Sequence, residues 1–470
     1  MKTFEDLQEV IDKNGDMLQF IQSSINDHKN SGLYKEAVTA YDYFRRRNTT
    51  ITQYQKLLYT MSGEAVPDNF SANYKFCNAF FQIFVMQENS YLLGNGVTFN
   101  DKNTKKKLGG AKFDNQLMRA GEYALWGGVS FGFWNLDHID VFKITEFVPL
   151  IGEEDGALHA GIRFWQIDPK KPLRATLYEQ DGYTDYIWRN DGKNGEILHE
   201  KRPYKQVVAS SEADGDEILD GSNYPGFPIV PLWGNGNHQS ELEGLQEKID
   251  GYDLIQSGFA NDLDDASQIY WTIKNAGGMD DIDLKKFIER MKVVKAAVVD
   301  EAGSTAEAHT LDVPFEAREH ALANIRDSLY RDAMALDTDK ISAGNVTATA
   351  IEAAYENLDL KCDHYETCMT EFIEGIMALV GIQDEPTYKR TKVINMQEDT
   401  NMILAAAQYL DNETILKHLP FLSPDEIDGI IERTTQEEAD RYANTTPEQN
   451  IVDNGNEGGG NIGDEEDEEG

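Results

Sequence analysis

Two amphipathic helices flank a compact insert in the middle of the chain. In the first, apolar residues recur every three or four positions and form one continuous stripe. Ser240 and Glu243 have capping-box spacing, in which each side chain bonds the other residue's backbone N–H, so this helix is expected over 240–267. The second helix is predicted over 313–336, because Pro314 suits a first turn whose N–H has no partner. The first stripe comprises Leu242, Leu245, Ile249, Tyr252, Ile255, Phe259, Leu263 and Ala266.

The remaining surface of the first helix is strongly acidic. Its carboxylates stand against a single Lys248, an excess that pairing within the helix cannot neutralise. We therefore predict an acidic face made of Asp250, Asp253, Asp262, Asp264 and Asp265.

The insert between these helices, 268–312, reads as a small strand-helix-strand unit. Apolar runs at 269–273 and 293–299 flank a helical pattern at 284–291. After the second helix, 337–345 is too polar and turn-prone to be core. Asn345 can then cap a helix whose apolar stripe continues to Gly381, a length of about 50 Å.

The first 239 residues combine helices with a sheet. Helical patterns cover 4–62, where Arg45, Arg46 and Arg47 close one helix, and a densely apolar helix is predicted over 71–92. One more helix is expected over 115–126, after a basic loop that contains Lys102 and 105–107. Short β runs separated by turn clusters predict a meander. They lie at 129–134, 141–147, 159–167, 174–178, 183–188 and 206–209.

The pattern weakens towards the C-terminus. Further helices are expected at 396–410 and 424–433. From 434 to 470 the chain is rich in glycine and acid, and such a segment buries too little apolar surface to order itself. The predicted fold class is therefore α+β and predominantly helical, ending in an acidic disordered tail.

Charge and composition narrow the class of partner. A net charge of -40 argues against bulk adhesion to nucleic acid or to an anionic membrane, since both require Lys and Arg to replace counterions. No stretch approaches the roughly 20 apolar residues of a membrane span, and the N-terminus lacks a hydrophobic signal core. Three cysteines fit a reducing compartment, so we expect synthesis in the cytosol.

Catalytic signals are poor, and neither a catalytic residue, a metal site nor a cofactor is predicted. The Gly234–His238 run lacks the Gly-Lys-Ser/Thr ending of a P-loop. Two alternatives remain open at this point. The aspartates at 262–265 are the residue type that Mg²⁺ prefers, which allows a metal-dependent nuclease or hydrolase. The long stripe from Ile351 to Leu379 allows a coiled-coil adaptor.

A collinear series of short segments carries a family resemblance over roughly residues 30 to 400. It comprises Asn73-Tyr74-Lys75, Ser90 through Phe99, Gly226 through Leu232, Asp250-Gly251-Tyr252-Asp253 with Asn261-Asp262, and Ser342-Ala343-Gly344-Asn345. In order and spacing the chain resembles the portal proteins of tailed bacteriophages, in particular those of long-tailed phages.

The resemblance implies a domain plan and a function. The wing would be 1–239, the stem helices 240–267 and 313–336, the clip 268–312, the tunnel loop 337–345, a long wing helix 346–394, and the crown 395–433. It implies a non-enzymatic ring of about twelve copies at one capsid vertex, through which double-stranded DNA is packaged and ejected. Implied partners are the terminase large subunit, scaffold and major capsid proteins and head completion proteins, with no membrane. The virion would be its location, after assembly in the host cytoplasm. The DNA-facing residues would be Thr338, Asp339, Lys340, Ile341, Ser342, Ala343, Gly344 and Asn345.

Overall fold

The computed structural model describes residues 2–59, 63–68, 72–189, 194–211, 215–266, 270–274, 305–309, 314–339, 348–390, 403–419 and 429–437, with single positions at 400, 422 and 427. The chain forms two compact units, Met1–Lys392 and Val393–Gly470.

Four helices open the first unit, and a polar side chain caps the start of each. Thr3, Asp16, Ser31 and Asn48 accept hydrogen bonds from first-turn amides, as N-caps do. The apolar side of the first two helices is buried against the sheet, which confirms their predicted pattern. The helices are α1 (Phe4–Asp12), α2 (Met17–Asn30), α3 (Gly32–Phe44) and α4 (Thr49–Gln53).

The β region is a set of antiparallel strands, as predicted. Its largest sheet is a five-stranded meander of order β10-β9-β8-β7-β6, beside a three-stranded sheet of order β13-β4-β5. The strands are β1 (Leu57–Tyr59), β2 (Ala65–Pro67), β3 (Val97–Phe99), β4 (Val129–Asn135), β5 (His138–Lys143), β6 (Phe147–Ile151), β7 (Leu158–Trp165), β8 (Leu173–Glu179), β9 (Gly182–Arg189), β10 (Asn194–Arg202), β11 (Lys205–Ser211), β12 (Gly215–Ser222), β13 (Ile229–Trp233), β14 (Tyr270–Lys274), β15 (Thr305–His309) and β16 (Pro386–Tyr388). The strand predicted over 141–147 is interrupted by a 3₁₀ turn, Ile144–Glu146, which separates β5 from β6.

The next three helices differ from two predictions and confirm a third. Helix α5 runs over Phe80–Leu93, and the eight residues before it, predicted to be helical, lie outside any helix. The predicted basic loop is a short helix, α6 (Lys102–Lys107), that Asp101 caps. Helix α7 (Ala111–Gly127) confirms the helix expected over 115–126.

The two helices around the insert are present, but the first begins later than predicted. Helix α8 spans Gln246–Ala266, and 240–245 forms turns in which Gly244 has a φ of +75°. The Ser240 hydroxyl donates to the Trp126 carbonyl at 2.7 Å and accepts from Leu242 N–H, so it does not cap at Glu243. Helix α9 spans Phe315–Asp332.

Only part of the insert can be compared with its prediction. Its first strand is confirmed as β14, which pairs antiparallel with β15. The helix expected at 284–291 and the strand expected at 293–299 lie outside the described residues.

The long helix α10 spans Ala348–Val380, a length of about 50 Å that agrees with the prediction. Its cap at Asn345 lies outside the described residues. Most of its apolar stripe is buried within the same chain, including Tyr365, Met369 and Phe372 in the main core. The coiled-coil alternative is therefore wrong for this stripe, because a coiled coil needs it exposed to a partner helix.

The second unit is described over a shorter stretch. It contains a 3₁₀ turn, Ala407–Tyr409, and helix α11 (Asn412–His418), whose first turn Asp411 caps. Residues 429–437 are helical, so the helix predicted to end near 433 continues further.

Candidate functional site

The predicted tunnel loop leaves α9 through a tight, well-bonded turn. Met334 adopts a left-handed φ of +52°, and Ala335 N–H bonds back to the Tyr330 carbonyl at 2.9 Å. This is the pattern of a helix end at which the chain reverses direction. Thr338 and Asp339 follow, both exposed, and their backbone is helical, which differs from the loop expected over 337–345. The described residues do not include Lys340, Ile341, Ser342, Ala343, Gly344 and Asn345.

One arginine of α9 holds the first residues of this loop. The Arg326 guanidinium pairs with Asp337 at 3.0 Å and with Asp339, whose N–H also bonds Asp337 at 3.2 Å. The hydrogen bond to Asp339 raises the pKa of Arg326. Because the guanidinium is a planar fork with several donors, a single side chain can hold both carboxylates.

The residue before the loop is held by a side chain of another helix. The amide group of Gln87, on α5, bonds the Leu336 N–H at 2.8 Å and the Leu336 carbonyl at 3.0 Å. The Leu336 side chain is buried with Tyr91, Tyr355 and Leu358. The loop therefore starts from a base attached to α5, α9 and α10.

A buried charged cluster adjoins this base. Lys361 of α10 lies 2.7 Å from Glu88 and 2.7 Å from Glu241, and it donates to the Ala333 carbonyl at 3.2 Å. Burial raises the pKa of Glu88 to about 7, against the opposing effect of Lys361. Burial lowers the pKa of Lys361, but the two glutamates outweigh it and keep the value above the usual one. One ammonium group thus links four segments at the loop base.

The predicted acidic face of α8 is not a continuous surface. Asp253 is fully buried, and its carboxylate accepts from Asn48 at 2.9 Å and from the Asn78 amide at 2.6 Å. Asp250 is half-buried and accepts from the Tyr43 hydroxyl at 2.5 Å. Burial raises the pKa of Asp253, and the hydrogen bonds from both asparagines oppose that effect. The prediction was wrong for Asp253, because it assumed that a charged residue on an acidic helix faces water.

The last acidic residues of α8 have different surroundings. Asp262 pairs with Arg318 of α9 and is partly exposed, and Asp264 is exposed. The side chain of Asp265 lies outside the described part of the chain. Within the described ranges, no three His, Cys, Asp or Glu side chains are placed to hold a metal ion, and no helix is both long and apolar enough to cross a membrane.

Sequence reasoning missed an extended strap that lies along α8. The backbone N–H groups of Tyr74, Phe76 and Asn78 donate to Asn261, Ser257 and Asp253 at 2.6, 2.9 and 3.2 Å. Alternate residues of an extended chain are about 6.6 Å apart, close to the rise of about 6 Å over four helical residues, so successive amides meet acceptors spaced four residues apart on α8. The signal in the sequence was the polar spacing at 253, 257 and 261, within a helix whose other polar residues are mostly acidic.

Comparison with known proteins identifies the family. The family model described as phage portal protein, SPP1 Gp6-like, matches residues 25–449. The portal protein of Bacillus phage SPP1 is 24% identical over 366 residues, 74% of this chain and 69% of that protein. The portal protein of Clostridium phage phiCD119 is 29% identical over 204 residues, 42% of this chain, so the match spans less than half, 45%, of that relative.

Solved structures include a similar chain from the neck of an empty GTA particle computed with C6 symmetry. It has a TM-score of 0.43 and 14% identity, over 72% of this chain and 88% of that one. The family match covers most of the sequence and agrees with the α+β architecture described above. The chain belongs to the phage portal protein family.

Proposed function

We propose that this chain forms a closed ring of about twelve copies at one vertex of a phage capsid. The ring is the conduit through which double-stranded DNA is packaged and ejected. Its partners are the terminase large subunit and head completion proteins, with scaffold and major capsid proteins present during assembly in the host cytoplasm. The family match over residues 25–449 is the observation that carries this proposal.

The attachment of the loop base supports a role for 338–345 at the DNA. Leu336 is bonded on both sides of its backbone by Gln87, and Arg326 holds Asp337 and Asp339. A fixed start holds the beginning of this segment in one place relative to the rest of the chain, and segments positioned in this way on a rigid scaffold often carry binding residues. Lys340 follows directly and supplies a cation for transient contact with phosphate.

Charge supports sliding rather than tight binding. The net charge of -40 repels phosphate, so a duplex inside the ring meets few cations that could replace its counterions. Asp253 has no part in this, because it is buried. The exposed Asp264 stays in the proposed channel face, with Asp265. Asp262 contributes less, since it pairs with Arg318. Asp250 contributes less, since its carboxylate is half-buried and accepts a hydrogen bond from the Tyr43 hydroxyl.

The decisive experiment measures ring assembly and DNA retention separately. Native mass measurement and electron microscopy of the purified protein should give closed rings of about a dozen copies. A chain that stays monomeric or dimeric at micromolar concentration and moderate salt contradicts the proposal. A DNA column at physiological salt tests sliding. If the rings are retained as strongly as a sequence-specific binder, the sliding conduit is contradicted and ring assembly is not.

A further inference from the structure

A groove of about 450 Å³ lies between the strap, α4, α8 and α9. Much of its surface is apolar or aromatic, and the residues that the structure describes cover this surface incompletely. Tyr54 and Tyr74 are 54% and 52% exposed and Leu254 is 42% exposed, which is high for large side chains in one concave site. The residues of this surface used below are Tyr54, Tyr74, Leu254, Ala317 and Ala321.

Cations surround this apolar surface in a chain that is otherwise acidic. Lys56, Lys75 and Arg318 line the groove together with the single carboxylate Asp262. Lys75 donates to the Thr52 carbonyl at 2.7 Å, and Arg318 pairs with Asp262. The Thr52 carbonyl is neutral, so its hydrogen bond holds Lys75 at the groove and leaves the positive charge of this lysine in place. The groove therefore suits a partner surface that carries acids and small side chains.

The opposite flank of α9 has those properties. Glu316, Glu319 and Ala323 are all exposed. At 100° per residue, Glu319 lies about 160° around the helix from Ala317 and Ala321, which line the groove. One helix thus carries a basic apolar groove on one flank and an acidic flank with a small residue on the other.

Complementary surfaces on opposite flanks of one element generate head-to-tail contacts, and such contacts close into rings when the rotation permits. We propose that the groove receives the acidic flank of α9 from a neighbouring copy, with Lys75 facing Glu319 of that copy. The inference rests on the proposed ring and names the contact that builds it.

A charge-reversal series tests this contact. Lys75→Glu and Glu319→Lys should each raise the concentration needed for half-maximal ring assembly about tenfold or more, because like charges then meet at every interface. The double variant should recover assembly, since each interface regains an opposite pair. Lys112→Glu makes the same charge change on the exposed surface of α7 and should assemble like the parent.

Two outcomes overturn the interface. One is a single variant that assembles at the parental concentration while circular dichroism shows it folded. The other is a double variant that recovers nothing although both single variants fail. Lys75 and Glu319 lie on opposite flanks within one chain, so recovery cannot come from pairing inside the monomer. In both outcomes the parent still forms rings, so the proposed function survives; a parent that remains monomeric removes the ring and this interface together.

Discussion

Asn78 bonds Asp253 twice, through its backbone N–H at 3.2 Å and through its side-chain amide at 2.6 Å. Asn48 adds a third hydrogen bond at 2.9 Å, and the carboxylate is fully buried. Asn78 and Asp253 are 175 positions apart in the sequence, and their hydrogen bonds fasten the C-terminal end of the strap to α8. A charge that looks like part of an acidic surface is therefore a structural link between the strap and the helix.

Replacing Asp253 with Ala should lower the free energy of unfolding by about 2–4 kcal/mol. The substitution removes the acceptor of the buried Asn48 amide and of the Asn78 backbone N–H, whereas the Asn78 side-chain amide keeps a second acceptor in Gln256. Such losses are among the larger effects of single substitutions. Urea denaturation followed by circular dichroism measures the change. Glu247→Ala, on the exposed side of the same helix, should stay within about 0.5 kcal/mol of the parent. Equal effects of the two substitutions would contradict the link.

Glu88 should make stability depend on pH between about 4.5 and 7. Its pKa is raised to about 7 in the folded chain, so in this window the folded state binds more protons than the unfolded state. The free energy of unfolding should therefore fall as pH rises, by at most about 3 kcal/mol from this group. Lys361 adds no opposing change, because its raised pKa affects stability only at alkaline pH.

Glu88→Gln removes that titration and keeps a polar group near Lys361. Denaturation at a series of pH values should show a flatter profile than the parent's between pH 4.5 and 7. Glu243→Gln, at an exposed position in the turn before α8, should leave the parental slope unchanged. A Glu88→Gln profile parallel to the parent's across this window would show that Glu88 titrates near its ordinary pKa.

Periodicity predicted the long elements because their local pattern and their packing agree. The stripe of α10 extends for many turns, and Tyr365, Met369 and Phe372 are buried as expected. The helix expected over 71–92 failed at its start because distant partners determine that backbone. Tyr74 and Phe76 give their N–H groups to Asn261 and Ser257, which no local pattern reveals.

The predicted cap at Ser240 and the predicted exposure of Asp253 were wrong for the same physical reason. Ser240 has capping-box spacing with Glu243, yet its hydroxyl bonds the Trp126 carbonyl, far away in sequence. Asp253 follows the acidic pattern of α8, but Asn48 and Asn78 provide donors that make its burial tolerable. Local propensity is a weak constraint wherever a tertiary partner satisfies the same polar group.

Arg326→Ala should loosen the start of the loop without unfolding the body of the chain. Arg326 is partly exposed, so the loss of its ion pairs should cost no more than about 1 kcal/mol of global stability. Hydrogen exchange should nevertheless become faster at Asp337 and Asp339, whose positions depend on the guanidinium. Arg331→Ala, an exposed arginine on the same helix, is the control and should leave exchange there unchanged. Unchanged exchange in Arg326→Ala would show that the loop base does not need the arginine.

Lys340→Ala should leave folding and ring formation unchanged, because a polar loop residue contributes little packing. Asp264→Lys, at the exposed end of α8, should instead increase salt-sensitive retention of duplex DNA by the rings, since each added cation releases phosphate counterions. Retention on a DNA column across a salt series measures both variants against the parent. The control is Asp12→Lys, which makes the same charge change at an exposed position of α1. If Asp264→Lys rings hold duplex no more strongly than Asp12→Lys rings at low salt, the exposed end of α8 does not line the DNA path. Loss of rings in Lys340→Ala would place this lysine in assembly rather than at the DNA.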